Sequence, residues 1–146
     1  MHSHDLEDLT LLLIRDEAES EMWIDRWALG YPTVRTAAAG RSQSPQQWQR
    51  LVQTVWEGIR GRNAAVVAHG AGVSAFLAWL YRADLQSRGR LCNIILAAPL
   101  QSAFPDDAEH SLQRVRCPCR AALVIGQNDP ECPPDWAAQQ AALWRA

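Results

Sequence analysis

The residues of this chain best placed to do chemistry sit in one corner, His69-Gly70-Ala71-Gly72, between an apolar run and a longer mostly apolar one. A strand that turns sharply into a helix aims the helix's first free N–H groups at whatever lies above the turn, which suits it to hold negative charge. Two patterns compete for the corner. In G-x-S-x-G, a serine stands on the strained turn as a nucleophile. Here the five positions are Ala68, His69, Gly70, Ala71 and Gly72, so Gly70 stands in the nucleophile's place and brings no side chain. In G-x-G-x-x-G/A, which binds a dinucleotide pyrophosphate, Gly70, Gly72 and Ala75 are the matching residues. That pattern also needs an acid after the next strand. Cys92–Ala97 runs instead into Ala98-Pro99-Leu100-Gln101. No cofactor is therefore expected.

The elements that must position the corner are legible around it. Leu9–Ile14, Thr33–Ala37, Ala64–Ala68, Cys92–Ala97 and Ala121–Ile125 read as strands, short and apolar between polar bounds. Ser20 caps a helix that carries Trp23 and Trp27 on one face. Ser44, Pro45 and Gln47 make a capping box before a stripe of Trp48, Leu51, Val52, Val55, Trp56 and Ile59. Val73–Tyr81 reads as a helix, Arg82–Arg90 as a polar connection, and Ser102–Pro118 as irregular with one turn near Leu112. A last helix starts at Pro134 and runs through Trp144. Strands alternating with helices predict a single three-layer α/β domain, residues 1–146, around a mainly parallel five-stranded sheet. The predicted order is 2-1-3-4-5, with its switch point between the strands ending at Ile14 and Ala68. The loop Arg15–Ser20 and the corner then line one crevice, with the turn at Asp129 beside it.

Bulk properties narrow the classes. The chain has 146 residues, 48% of them hydrophobic, which suffices for one real core. A net charge of −2 gives no electrostatic case for nucleic acid. All basic residues are arginine, which rules out lysine chemistry. No apolar run is long enough for a bilayer, and Met1-His-Ser-His-Asp has no basic leader, so no membrane association is expected. Four cysteines do not make a disulfide scaffold, and a cytoplasmic location is expected. Cys117-Pro-Cys119 with Cys132 and His110 lacks the spacing of a zinc site, so no metal is expected.

Taken in order, these motifs resemble the small serine hydrolases of the retinoblastoma-binding-protein type, a branch of the α/β-hydrolase superfamily. The resemblance rests on Trp23 and Trp27, Pro45 to Trp48, Val67-Ala-His69-Gly70-Ala-Gly72, Ala98-Pro99, Asn128-Asp129-Pro130, and Ala141 to Trp144. It implies an acyl hydrolase with a Ser-Asp-His triad, in which Asp129 matches the acid and Ala71 supplies an oxyanion N–H. The triad histidine would follow a further strand, whereas the sequence ends at Ala146, so a truncated hydrolase fold is expected. Arg15-Asp16-Glu17-Ala18-Glu19 brings carboxylates to a loop where the family needs an oxyanion donor.

The expected function is that of a catalytically impaired serine hydrolase, a pseudoenzyme with a binding crevice for a small acyl or ester ligand. Arg15, Asp16, His69, Ala71 and Trp23 are its candidate binding residues; Gly70 and Asp129 hold the catalytic positions. Asp129 also reads as a plain turn former, His69 as a packed histidine, and Ser74, one helical turn past Gly70 and pointing elsewhere, as a poor substitute nucleophile. Two alternatives stand beside this reading. One is a scaffold that pairs with a copy of itself or another protein through the edge strand Ala121–Ile125. The other is a working esterase of unusual chemistry.

Overall fold

The computed structural model describes residues 9–19, 33–104 and 112–146. Strands β1 (Leu9–Asp16), β2 (Val34–Ala39), β3 (Asn63–His69), β4 (Leu91–Ala97) and β5 (Ala121–Val124) form one sheet in the order β2-β1-β3-β4-β5. Every pairing is parallel, which makes this an α/β fold. The reversal of strand order falls between β1 and β3, with Ile14 level with Ala68. The central strands are buried on both faces, as a parallel sheet requires. Leu12, Ile14, Ala64, Val66 and Ala68 face one core, while Leu11, Leu13, Ala65 and Val67 face the other.

Helices α1 (Pro45–Glu57), α2 (Ala71–Arg82), α3 (Leu85–Arg90) and α4 (Pro134–Trp144), with short 3-10 turns at Gln101–Ala103 and Leu112–Arg114, complete the described elements. The Ser44 hydroxyl accepts from the Gln47 N–H, and the Gln47 side chain accepts from the Ser44 N–H, so the capping box forms in full. Trp48, Val52 and Trp56 bury the α1 stripe, and the Trp56 ring meets Trp79 of α2 at 4.6 Å. Helix α2 is buried from Ala71 to Leu80, which is why its sequence carries no polar face. Phe104, Trp136 and Trp144 pack together where α4 joins the same core.

Several boundaries differ from the sequence reading. The expected polar connection at Arg82–Arg90 contains α3, because the Asp84 side chain accepts from the Ser87 N–H and caps it. Strand β5 stops at Val124, one residue short of Ile125. Strand β2 runs from Val34 to Ala39 instead of Thr33 to Ala37, and α2 begins two residues earlier, at Ala71. The helix expected after Ser20, with Trp23 and Trp27, lies outside the described residues, as does His110.

Candidate active site

The corner is built by close packing. Gly70 has φ 58° and ψ −126°, a conformation that strains any L side chain. Gly72 lies against β1: an added Cβ would stand 2.1 Å from the Ile14 carbonyl oxygen. Only glycine therefore lets α2 start where it does. Ser74, one turn on, faces inward. It is fully buried, and its hydroxyl donates to the Ala103 carbonyl at 2.8 Å.

Above Gly70 stands the side chain of Asp16. Strand β1 continues past Ile14, pairing Asp16 with Ala39 of β2 and carrying its carboxylate over the corner. Asp16 is 0% exposed. Its Oδ2 accepts from the Ala71 N–H at 3.1 Å, and its Oδ1 from the Ala18 N–H at 3.0 Å. A Cβ built on Gly70 would lie 2.5 Å from Oδ2 and 2.9 Å from the Asp16 Cβ. The space in which a nucleophile would start is thus filled from the neighbouring strand. The first N–H of α2, the type of donor that stabilises an oxyanion, already has an anionic oxygen on it.

Arg41, on the loop after β2, compensates the buried charge. Its Nε donates to Asp16 Oδ2 at 3.1 Å and its Nη1 to Glu131 at 2.9 Å, while Nη2 lies 4.0 Å from Glu19. Burial pulls the Arg41 pKa down, but the charge of Asp16, the hydrogen bond to it, and Glu131 and Glu19 outweigh that and leave it raised. The guanidinium of Arg15 donates to the Glu19 carbonyl, at the edge of this network. One arginine, Arg41, therefore ties the ends of β1 and β2 to the loop after β5.

Asp129 and His69 lie on the far side of the corner. With Ala97, Ala98, Val124, Ile125 and Gly126 they line an open hollow of about 310 Å³ at the C-terminal ends of β3, β4 and β5. The Asp129 carboxylate accepts from the Glu131 N–H at 2.9 Å, the bond of an aspartate turn. His69 is half-buried, and its Nδ1 has no hydrogen-bond partner among the described residues. Burial is the main cause of its lowered pKa; Glu19, Asp16 and Asp129 oppose the shift and Arg41 adds to it. Ala98 takes a left-handed φ of 47°, held by its N–H donating to the Val124 carbonyl at 2.8 Å. Trp23 lies outside the described residues. Among those residues no three His, Cys, Asp or Glu side chains converge to hold a metal ion. Among them, too, no helix is long and apolar enough to cross a membrane.

The structure thus brings Asp16, Gly70 and Ala71 into direct contact, and sets His69 and Asp129 around one hollow beside them. Arg41 and Glu131 were not singled out in the sequence. The available signal was an arginine in the loop that follows β2, facing the acid-rich segment after β1.

A parallel sheet whose third strand turns through a strained glycine into a buried helix is an α/β-hydrolase-type scaffold. The sequence profile of the family described as serine hydrolase matches residues 15–146, and the chain belongs to that family. Neither a curated protein nor a solved structure matched it.

Proposed function

We propose that this chain is a catalytically impaired member of its family, a pseudoenzyme whose corner holds one of its own carboxylates. The observation that carries the reading is the position of Asp16 Oδ2, on the Ala71 N–H and against Gly70. Acyl transfer through a covalent intermediate needs a side-chain oxygen at position 70, and glycine has none. It also needs a donor for the developing oxyanion, and a resident negative charge there opposes a second one. Loss of one such donor costs about 2.7–4 kcal/mol of transition-state stabilisation. Water is not a ready substitute for the serine, because the Asp16 side chain fills the space above Gly70.

The hollow beside His69 and Asp129 is the proposed crevice, with Ala97, Ala98, Val124 and Ile125 as its apolar part. A small acyl or ester compound fits that mixture of hydrocarbon and imidazole. The four cysteines are free thiols, which fits a reducing cytoplasm as the protein's location. A working esterase of altered chemistry would need a serine hydroxyl free to attack, and that of Ser74 is committed to Ala103.

The test is hydrolysis of short-chain aryl esters by the purified protein and by Ser74→Ala, with the melting temperature followed in the presence of a short-chain carboxylic acid. Background turnover in both proteins, with a ligand-dependent rise in melting temperature, is expected. Robust turnover that disappears in Ser74→Ala would overturn the proposal.

A further inference from the structure

The end of the sheet opposite the corner holds a cavity of about 310 Å³, lined by Thr10, Thr33, Arg35 and the loop Gly58-Ile59-Arg60-Gly61. Strand register builds its walls. Thr10 of β1 lies beside Ala64, and Arg35 of β2 beside Leu12. Neighbours across a parallel pairing share a face of the sheet. Ala64 and Leu12 face the core that holds Trp56 and Ile59. Thr10 and Arg35 therefore stand on that same face, below the C-terminal end of α1. Thr10 is 2% exposed, and its hydroxyl has no hydrogen-bond partner among the described residues. A buried hydroxyl in that state is uncommon and asks for an occupant. The loop is held from its other side. Arg90 Nη2 donates to the carbonyls of Ile59 and Gly61 at 2.9 and 2.6 Å, and its guanidinium lies 4.9 Å above the Trp56 ring. In a trans peptide the N–H points away from the C=O, so the Arg60 N–H turns away from Arg90. Arg90 leads into β4 on one flank of β3, while β1 and β2 lie on the other, so that N–H faces the cavity side.

We infer that this cavity binds a small phosphorylated compound through its phosphate monoester group. Among the described residues no carboxylate lines the cavity, and neither Arg35 nor Arg60 forms an ion pair. Two positive charges that share one cavity repel each other until an anion enters. Each planar guanidinium can hold two phosphate oxygens, and two of them match a dianion. The hydroxyls of Thr10 and Thr33 and the Arg60 N–H serve the remaining lone pairs. A carboxylate, with two oxygens and one charge, would leave part of this donor set unused. The volume leaves room for a few atoms beyond the phosphate. The cavity lies at the far end of the strands from Gly70, so the inference is independent of the proposed loss of catalysis.

Isothermal titration calorimetry of the full chain at fixed ionic strength tests it, with inorganic phosphate, phenyl phosphate and acetate as the three titrants. Saturable one-to-one binding of both phosphates, and none of acetate, is expected. Arg35 and Arg60 are exposed, so Arg35→Gln and Arg60→Gln should fold normally. Each should weaken phosphate binding about tenfold. Thr10→Val keeps the shape and removes the hydroxyl. It should weaken binding without lowering the melting temperature of the unliganded protein. Absence of saturable binding for both phosphates would overturn the inference, as would acetate binding as tightly as phosphate. Binding of inorganic phosphate but not of phenyl phosphate would overturn the monoester assignment. An affinity unchanged in the variant carrying both arginine substitutions would overturn the site.

Discussion

Replacing Gly70 by serine would return the missing hydroxyl, yet the corner predicts a loss of stability and no gain in activity. Two costs arise. The backbone at φ 58° strains an L residue by about 1–3 kcal/mol. The new Cβ would also stand 2.5 Å from Asp16 Oδ2, too close for both to remain. Asp16 would have to leave the Ala71 N–H, the Ala18 N–H and Arg41, and a hydrogen bond to a charged group contributes about 1.5–3 kcal/mol. Together these give a destabilisation of about 2.5–6 kcal/mol for Gly70→Ser, taking the strain with one lost charged contact. Asp16→Gly alone should cost about 1.5–3 kcal/mol, because it removes the charged acceptor of the buried Ala71 N–H and of the Ala18 N–H, while exposed Arg41 keeps Glu131. The two changes share one space, so the double variant should cost about 2 kcal/mol less than the sum of the singles. Denaturant unfolding of the four proteins, with ester hydrolysis measured alongside, completes the cycle. Additive costs, or esterase activity from Gly70→Ser alone, would refute the claim that Asp16 occupies the nucleophile's space.

Other consequences follow from the same packing. Gly72→Ala should cost about 3 kcal/mol or more in unfolding free energy, since its Cβ would meet the Ile14 carbonyl at 2.1 Å and backbone cannot yield cheaply. His69 has its pKa lowered from the ordinary 6.5, so the unfolded chain binds the proton first on acidification. Stability should therefore fall as pH drops below about 6.5 and on through the folded-state value, and His69→Gln should flatten that part of a denaturation-versus-pH curve. Burial pushes the Cys117 thiol up to about 12 and leaves Cys132 wholly covered. Native thiol titration near neutral pH should label Cys92 and Cys119 well ahead of these two, and equal rates at Cys117 would contradict its burial.

What the sequence carried was the part of the fold set by local pattern. Apolar runs mark the five strands, and Ser44-Pro45-Gln47 announces α1 together with its cap. The order of strands follows from alternation and crossover handedness. The corner was legible as well, because a glycine pair between an apolar strand and an apolar helix marks a turn too tight for side chains. The acidic loop beside the corner was legible too, with Asp16 among the candidates, but the seat of its carboxylate on the Ala71 N–H was not. Asp16, Glu17 and Glu19 are equivalent carboxylates in a sequence. Only the length of β1 and its register against β2 select Asp16, whose contact with Ala71 spans 55 positions. Arg41 escaped for the same reason, since its partners come from two segments far from it in sequence, Asp16 with Glu19 and Glu131. Helix α3 is short and polar, so no apolar stripe signalled it; the Asp84 cap was its only mark.

The most direct measurement is the intact mass of the protein after exposure to a fluorophosphonate, which phosphonylates activated serines. With Asp16 seated on the Ala71 N–H and no hydroxyl at residue 70, the mass should stay that of the unmodified chain. A stoichiometric adduct would mean that an activated nucleophile survives, and the account of this corner would be wrong.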